Sequence, residues 1–378
     1  MTAIVSAGFS KFGKRDCTIY DLALEACRES IRKYGDMIDT VIVSNSYSGE
    51  FLGTSGINNL LATYLSIEDV PSVRADNTSG SGGSAISLAD SLIRSGDCGA
   101  VMVLGAEKMT GFPTKKSTSV IASLLPAEER DAGVTLPSLA AFMARAYMAE
   151  FGATRESIGS VAVKNHHNGS LNPNAHLQKE VTLDIVLGSR MIADPLRLYD
   201  YCPVSDGAAS LILTSDALSD SAGSRAVRML GKGAGSSSAS VSTRIQKTSI
   251  SAVQSAADAA FRSSHLKPSD VHVAELHDMA TVLEIVESED IGFFKKGEGW
   301  KAVMDGTTAL DGRLPLNTSG GLNSKGHPIG ATGVAQAGEI FLQLTGRAGG
   351  RQVKNATVGL TANMAGFGNG ATVMLYGV

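Results

Sequence analysis

The most informative stretch of the sequence reads Asn317-Thr-Ser-Gly-Gly-Leu-Asn-Ser-Lys-Gly-His-Pro-Ile-Gly-Ala-Thr-Gly333. It sets one imidazole, His327, among five glycines and ahead of an apolar helical run. Glycine lets backbone amides approach a ligand closely or take a positive φ, and Pro328 suits the first turn of a helix whose free N–H groups favour negative charge. The pattern predicts a histidine that acts beside a bound group carrying negative charge. The alternative is a glycine-rich turn with an incidental histidine.

Outward from this stretch, helical periodicity alternates with short apolar strands. Helices are predicted at residues 81–94, 138–151, 252–261 and 331–344, and strands at 41–43, 101–104 and 372–375. This alternation predicts an α/β protein with mainly parallel sheets and helices on their faces. Residues 113–200 carry fewer strand signals and more turns.

The composition is that of a protein with a large buried core and no polyanionic partner. The chain has 378 residues, of which 43% are hydrophobic and 19% charged, and its formal net charge is −4. No basic patch favours nucleic acid, and no apolar run approaches the length of a transmembrane helix. The first residues lack the charged and apolar regions of a signal peptide, so we expect a cytoplasmic protein.

Metal binding is not expected from the sequence. The four cysteines, which include Cys98 and Cys202, lie far apart without a Cys-x-x-Cys pair, so we interpret them as structural thiols. The histidines of the tract at 164–168 are adjacent and cannot face the same way on a helix. We expect that tract to be solvated or to line the rim of a pocket.

Several further motifs extend along nearly the whole chain in a fixed order. They are the segments at residues 8–13, 21–26, 105–109, 193–195, 205–209, 275–278 and 363–366. Together with Lys325-Gly-His-Pro328, they resemble the thiolase family, in particular its archaeal and sterol-carrier branches.

The resemblance implies an α/β thiolase fold made of two duplicated βαβαβαββ halves. Their five-layered α-β-α-β-α core would lie beneath a loop domain that covers the active site. We place the halves at residues 1–230 and 231–378, and the loop domain at about 113–200. The segments before the helices at 81–94 and 331–344 would occupy matching positions, with both helix N-termini facing one site.

Thiolase chemistry requires an acylatable nucleophile, a base, and donors for an oxyanion. The resemblance assigns the base to His327 and the oxyanion donor to His277, and it gives Asn363 the role of orienting water or the substrate carbonyl. The family's nucleophilic cysteine is replaced by Ser79, and the cysteine it carries beside the second histidine is Met279. Three explanations fit Ser79: serine acylation, a reaction without a nucleophile, or an engineered replacement of cysteine.

The function implied is that of an acyl-CoA acyltransferase that makes or cleaves a carbon–carbon bond next to a thioester. The alternatives are a retro-aldol lyase that forms no acyl-enzyme and a silent subunit that binds acyl-CoA. We expect no permanently bound cofactor and no metal, with a coenzyme A thioester as substrate. The coenzyme contacts are expected at Gly326, Gly330, Gly366 and Ser236.

The resemblance also implies an assembly. Thiolases pair through the sheet edge of their first half, so a homodimer or a dimer of dimers is expected. The archaeal branch also works with a small partner built from a zinc ribbon and an OB fold. Two alternatives stay open here: such a partner completes the acyl-CoA site, or the loop domain suffices alone.

Overall fold

The computed structural model describes residues 1–221 and 225–378. The strands are β1 Thr2–Phe9, β2 Thr40–Ser44, β3 Ser72–Ala75, β4 Ala100–Glu107, β5 Met191–Ala193, β6 Leu196–Arg197, β7 Gly207–Ser215, β8 Val227–Ser236, β9 Val273–Glu275, β10 Val358–Ala365 and β11 Gly370–Gly377. The helices are α1 Ile19–Tyr34, α2 Ser48–Leu52, α3 Ile57–Tyr64, α4 Ser81–Ser95, α5 Thr114–Ala122, α6 Ala127–Asp131, α7 Leu136–Phe151, α8 Arg155–Ser170, α9 Leu183–Gly188, α10 Asp216–Ser221, α11 Ser251–Ser264, α12 Thr281–Asp290, α13 Gly299–Met304, α14 Gly321–Lys325 and α15 Thr332–Leu344. Every helix and strand predicted from periodicity is therefore present.

The strand order shows the predicted duplication. Nine strands run in the order β3-β2-β4-β7-β1-β8-β11-β10-β9, so the two halves mirror each other about the contact between β1 and β8. That contact is short, because only Ala3 with Arg228 and Ile4 with Val227 are paired. In the second half, the place equivalent to β3 holds only an isolated bridge between Ala274 and Leu316.

The prediction of mainly parallel sheets is wrong. In the nine-stranded sheet of the described residues, three pairings are parallel, namely β2–β3, β2–β4 and β9–β10. The other pairings are antiparallel. The reason is that the last strand of each half, β7 or β11, returns beside the first strand of that half in the opposite direction.

The helices complete five layers. α4 and α15 contact strands of both halves and form the middle layer. α1 and α3 cover the outer face of the first half, and α11 covers β8 and β11 on the far side. The predicted α-β-α-β-α thiolase fold is thus confirmed.

The two middle helices cross in backbone contact. A Cβ atom added to Gly333 would lie 2.6 Å from the Gly83 nitrogen, and one added to Gly82 would lie 2.6 Å from the Val334 nitrogen. Only glycine permits so close an approach. The crossing brings the N-terminal turns of α4 and α15 to the same place.

The segment at 113–200, expected to be rich in turns, is largely helical. Thr135 with Ser138 and Thr154 with Ser157 form capping boxes that start α7 and α8. The proposed division near residue 230 falls within β8 and stays a prediction. Within the described residues, no helix combines the length and apolar character needed to cross a bilayer.

Candidate active site

Ser79 lies in a strained turn between β3 and α4. Its side chain is buried, and the preceding Thr78 has a φ of +46°, which β-branched residues rarely adopt. The Thr78 carbonyl accepts hydrogen bonds from Ser46 Oγ at 2.8 Å and Ser81 Oγ at 2.5 Å. Asp76 Oδ1 accepts the Thr78 N–H at 3.0 Å. These bonds offset a backbone strain of about 1–3 kcal/mol and fix the turn.

Asn363, on β10, joins this turn to the second half of the chain. Its Oδ1 accepts the Gly83 N–H at 2.9 Å, and its Nδ2 donates to the Ser79 carbonyl at 3.0 Å. These partners fix the orientation of the amide, because the first can only donate and the second can only accept. The same Nδ2 lies 3.2 Å from His277 Nδ1, which therefore accepts, and the His277 proton resides on Nε2.

His277 presents this proton without a partner. The residue is fully buried, and among the described residues no group forms a hydrogen bond with Nε2. Burial, and then the neighbouring His327 and Lys325, hold the His277 pKa well below its usual value. The Glu287 carboxylate accepts the backbone N–H of His277 at 3.0 Å. The site therefore contains a neutral imidazole with an unused N–H donor, a costly arrangement unless a ligand accepts the bond.

His327 has the opposite tautomer. Its Nδ1 lies 2.7 Å from Thr332 Oγ1, and that hydroxyl donates to the Pro328 carbonyl at 2.9 Å. The only proton of the Thr332 hydroxyl is used in its bond to the Pro328 carbonyl. His327 Nδ1 must therefore carry the imidazole proton, and Nε2 keeps a free lone pair. Burial, with a smaller effect of Lys325, lowers the His327 pKa to about 3. The two histidine rings meet edge to face with centroids 5.1 Å apart.

Ser79 and His327 line one cavity of about 180 Å³. Its wall is mainly apolar, and much of it comes from the segment at 113–200 through side chains such as Ile121, Leu124 and Leu136. The cavity therefore combines a hydroxyl and a lone pair with space for a small apolar group.

The predicted coenzyme contacts are more scattered. The Gly366 N–H lies 3.1 Å from Ser79 Oγ, so this glycine belongs to the site. Gly326 and Gly330 are packed against protein atoms, and Ser236 is exposed on β8. None of these last three lines the cavity, and their contact with a coenzyme stays a prediction.

Two features of the surroundings were missed. The tract at 164–168 was expected to be solvated or to line the rim of a pocket, and Lys164, His167 and Asn168 do line a surface pocket. However, Asn165, His166 and Asn168 are buried, and the Asn165 amide donates to Asp278 Oδ2 at 2.8 Å. The tract thus supports the loop that carries His277. Cys202, interpreted as structural, lines the cavity, and burial raises its pKa to about 12. No cluster of three or more potential metal ligands occurs among residues 1–221 and 225–378.

Comparison with known proteins gives a consistent result. Residues 2–217 match the family model "Thiolase, N-terminal domain", and residues 233–378 match "Thiolase C-terminal domain-like". The chain is 39% identical to an acetyl-CoA acetyltransferase of Methanothermobacter thermautotrophicus over 99% of this chain and 98% of that protein. It is 33% identical to sterol carrier protein 2 of Oryctolagus cuniculus over 99% of this chain and 71% of that protein.

A solved aldolase complex, Ltp2-ChsH2(DUF35), is similar in structure, with a TM-score of 0.85 and 26% identity over 100% of this chain and 97% of the solved one. The family models span both halves of the chain, and the fold and the motif order agree with them. The chain therefore belongs to the thiolase superfamily.

Proposed function

We propose that this protein is an acyl-CoA acyltransferase that makes or cleaves a carbon–carbon bond next to a thioester. The observation that carries the proposal is the arrangement of Ser79 and His327 on one apolar cavity, with the Gly366 N–H directed at Ser79 Oγ. Acyl transfer requires a nucleophile, a base and an oxyanion donor close together. In the proposal, Ser79 is the nucleophile, His327 is the base, and the Gly366 N–H, which also donates to Thr78 Oγ1 at 3.1 Å, is an oxyanion donor.

In the proposed first step, His327 Nε2 accepts the proton of Ser79 Oγ as that oxygen bonds to the thioester carbon. The carbon–sulfur bond then breaks, and the coenzyme A sulfur receives the proton from His327. A pKa near 3 makes the resting imidazole a weak base. Negative charge that develops on the substrate beside it favours the protonated form and raises that pKa during the reaction.

The oxyanion of the substrate has two candidate donors, the Gly366 N–H and the unpaired His277 Nε2–H. Asn363 holds both sides of this arrangement, since it contacts His277 and the Ser79 carbonyl. In the second step, His327 is neutral again and accepts a proton from the α-carbon of another acyl-CoA. The enolate carbon then bonds to the acyl carbon, the bond from that carbon to Ser79 Oγ breaks, and Ser79 Oγ takes the proton back from His327.

The phosphates of coenzyme A have a candidate site at the mouth of the cavity. A surface groove carrying Lys115 and Arg130 shares Thr118, Ala122 and Thr135 with the cavity wall. A ligand that extends from the cavity into this groove would place its anionic end beside these two cations. Coenzyme A has this distribution of an apolar reactive end and a charged end.

A retro-aldol lyase is the second candidate, and two observations favour it. A serine hydroxyl is far less acidic than a thiol, whose usual pKa is about 8.5, so Ser79 is a poor substitute for cysteine. The solved aldolase complex is also 26% identical to this chain. In a lyase, His327 would take the proton from the β-hydroxyl group of the substrate and no acyl-enzyme would form.

Titration with acyl-CoA followed by intact-protein mass spectrometry tests the proposal. If the protein is an acyltransferase, we expect a covalent acyl adduct at Ser79 and release of coenzyme A. Cleavage of a β-hydroxyacyl-CoA without an adduct would establish the lyase instead. Binding without either reaction would show that the chain is a silent acyl-CoA-binding subunit.

We further propose a cytoplasmic homodimer that pairs through β3, the edge strand of the first half. A small DUF35-type partner is proposed by analogy with the aldolase complex. The affinity of the purified chain for acyl-CoA tests the partner: tight binding that is unchanged by any co-purifying protein would show that no partner is needed for binding.

A further inference from the structure

Glu107 ends β4 as a buried carboxylate with every acceptor position occupied. Its Oε1 accepts from Asn45 Nδ2 at 2.8 Å and from the Tyr47 N–H at 3.1 Å. Its Oε2 accepts from the Ser46 N–H at 2.9 Å and from the Gly330 N–H at 3.0 Å. None of the four donors carries a charge, and three of them are backbone amides.

One side of this carboxylate contacts the segment between α14 and α15, residues 326–331, which carries His327 and is called the His327 loop below. Gly330 lies in the turn between His327 and α15, and its carbonyl accepts Ser44 Oγ at 2.6 Å. A Cβ atom added to Gly330 would lie 2.7 Å from the Ser44 carbonyl and 2.9 Å from Glu107 Oε2. The loop of the second half is therefore seated directly on the end of β2 and β4 in the first half.

The other side reaches the Ser79 turn. Ser46, whose N–H is bound by Glu107, donates through Oγ to the Thr78 carbonyl at 2.8 Å. Thr78 is the strained residue that precedes Ser79. A continuous path of short hydrogen bonds thus runs from the His327 loop through Glu107 to the Ser79 turn.

We propose that Glu107 is a positioning residue, which sets the His327 loop of the second half against the Ser79 turn of the first half through its four hydrogen bonds. The inference rests on the proposed function in taking Ser79 and His327 as the reacting pair. Glu107 itself does not line the cavity, so it acts on the reaction only through these two loops.

The carboxylate form matches this role better than a neutral isostere. Whichever way a glutamine side chain were turned, its NH₂ group would face two N–H donors that need an acceptor. Burial raises the Glu107 pKa to about 7, although its backbone partners and Arg74 oppose that rise. Arg74, on β3, is ion-paired with Asp76, and the adjacent Lys108 is bound by Asp206, while His327 is neutral. The ionisation of Glu107 therefore falls near neutral pH.

The test compares Glu107→Gln with Asp39→Asn as a matched control. Asp39 Oδ2 accepts the Gly99 and Ala100 N–H groups at the opposite end of β4. Hydrogen–deuterium exchange of the full chain, followed by mass spectrometry, should show faster exchange in peptides covering 77–81 and 326–333 for Glu107→Gln only. Acyl-CoA turnover by this variant should fall about 100-fold in kcat with little change in KM, because misplacement by about 1 Å has an effect of that size.

The pH profile is a second readout. Protonation of Glu107 predicts a loss of wild-type kcat as the pH falls through about 7, and this limb should vanish in Glu107→Gln. The variant makes the assignment, because burial also raises the pKa of Glu287, which accepts the backbone N–H of His277. Unchanged exchange in both loops, or an unaltered limb, overturns the inference. A wild-type chain that turns over no acyl-CoA refutes the proposed function, while exchange still decides the role of Glu107. If Glu107→Gln does not fold, Ser46→Ala cuts the same path at the Thr78 carbonyl, and unchanged exchange at 77–81 in that variant overturns the inference.

Discussion

His327 and His277 are both neutral imidazoles, but the hydrogen bonds that hold them give them opposite tautomers. His327 has a lone pair on Nε2 because its Nδ1–H donates a hydrogen bond to Thr332 Oγ1. His277 has an N–H at Nε2 because its Nδ1 accepts a hydrogen bond from Asn363 Nδ2. In the proposed mechanism, one type of side chain thus serves both as the base and as an oxyanion donor, with ring centroids 5.1 Å apart. The division of roles comes from the neighbours and not from the imidazoles.

Replacement of His327 by alanine should abolish turnover without unfolding the protein. The loss of a general base lowers the rate by about 10²–10⁴-fold. His167→Ala is the control, because that histidine is exposed on α8 and does not line the cavity. Rates are measured with acyl-CoA and folding by circular dichroism. A His327→Ala variant that keeps near-full activity would contradict the assigned role.

Replacement of Ser79 by cysteine should restore thiol chemistry. A cysteine there is the stronger nucleophile, so we expect faster acylation by acyl-CoA and new sensitivity to alkylating reagents. Labelling must be mapped by peptide mass spectrometry, because Cys202 lines the same cavity. The double variant Ser79→Cys, Cys202→Ser is the control. An unchanged rate and no label at position 79 would favour the lyase.

At the scale of elements, the crossing of α4 and α15 determines where the site forms. Gly333→Ala should destabilise the protein by about 1–3 kcal/mol, because its Cβ would lie 2.4 Å from Asn363 Oδ1 and 2.6 Å from the Gly83 nitrogen. Gly49→Ala in α2 is the control, since a Cβ there meets nothing within 4 Å. Chemical denaturation measures both. Equal stability of the two variants would show that the crossing can relax.

The sequence was sufficient to predict which segments form helices and strands, but not the direction in which neighbouring strands pair. Apolar periodicity predicted α15 and β11. No local pattern states whether a strand pairs parallel or antiparallel, so the prediction of mainly parallel sheets failed at β7 and β11. His277, His327 and Asn363 were proposed as site residues because each lies in a motif that resembles the family's, and Ser79 was proposed because it takes the place of the family's nucleophilic cysteine. Glu107 lies in such a motif too, but a lone glutamate does not reveal that four N–H groups will converge on it. Asn165 was missed because its partner Asp278 is 113 residues away.

At the scale of the whole molecule, the exposed edge β3 is the proposed dimer interface. Val73 on this strand is 43% exposed, and Leu60 and Tyr64 of the neighbouring α3 are similarly exposed. Val73→Lys should shift the protein from dimer to monomer in sedimentation experiments, because an interface disfavours an unpaired buried charge. Leu198→Lys, on an exposed residue away from β3, is the control. A Val73→Lys dimer of unchanged stability would place the interface elsewhere.

The mirrored strand order and the glycine crossing of the middle helices have one more consequence. The N-terminal turns of α4 and α15 both meet Asn363, since Gly83 donates to its amide and Gly333 packs against it. An approximate twofold axis that relates the two halves would pass through this crossing. A site on such an axis is shared by both halves, so duplicating the scaffold does not duplicate the site. Duplication of a half therefore doubles the strands and helices but brings both helix N-termini to a single place, with Ser79 ahead of α4 on one side and His327 ahead of α15 on the other.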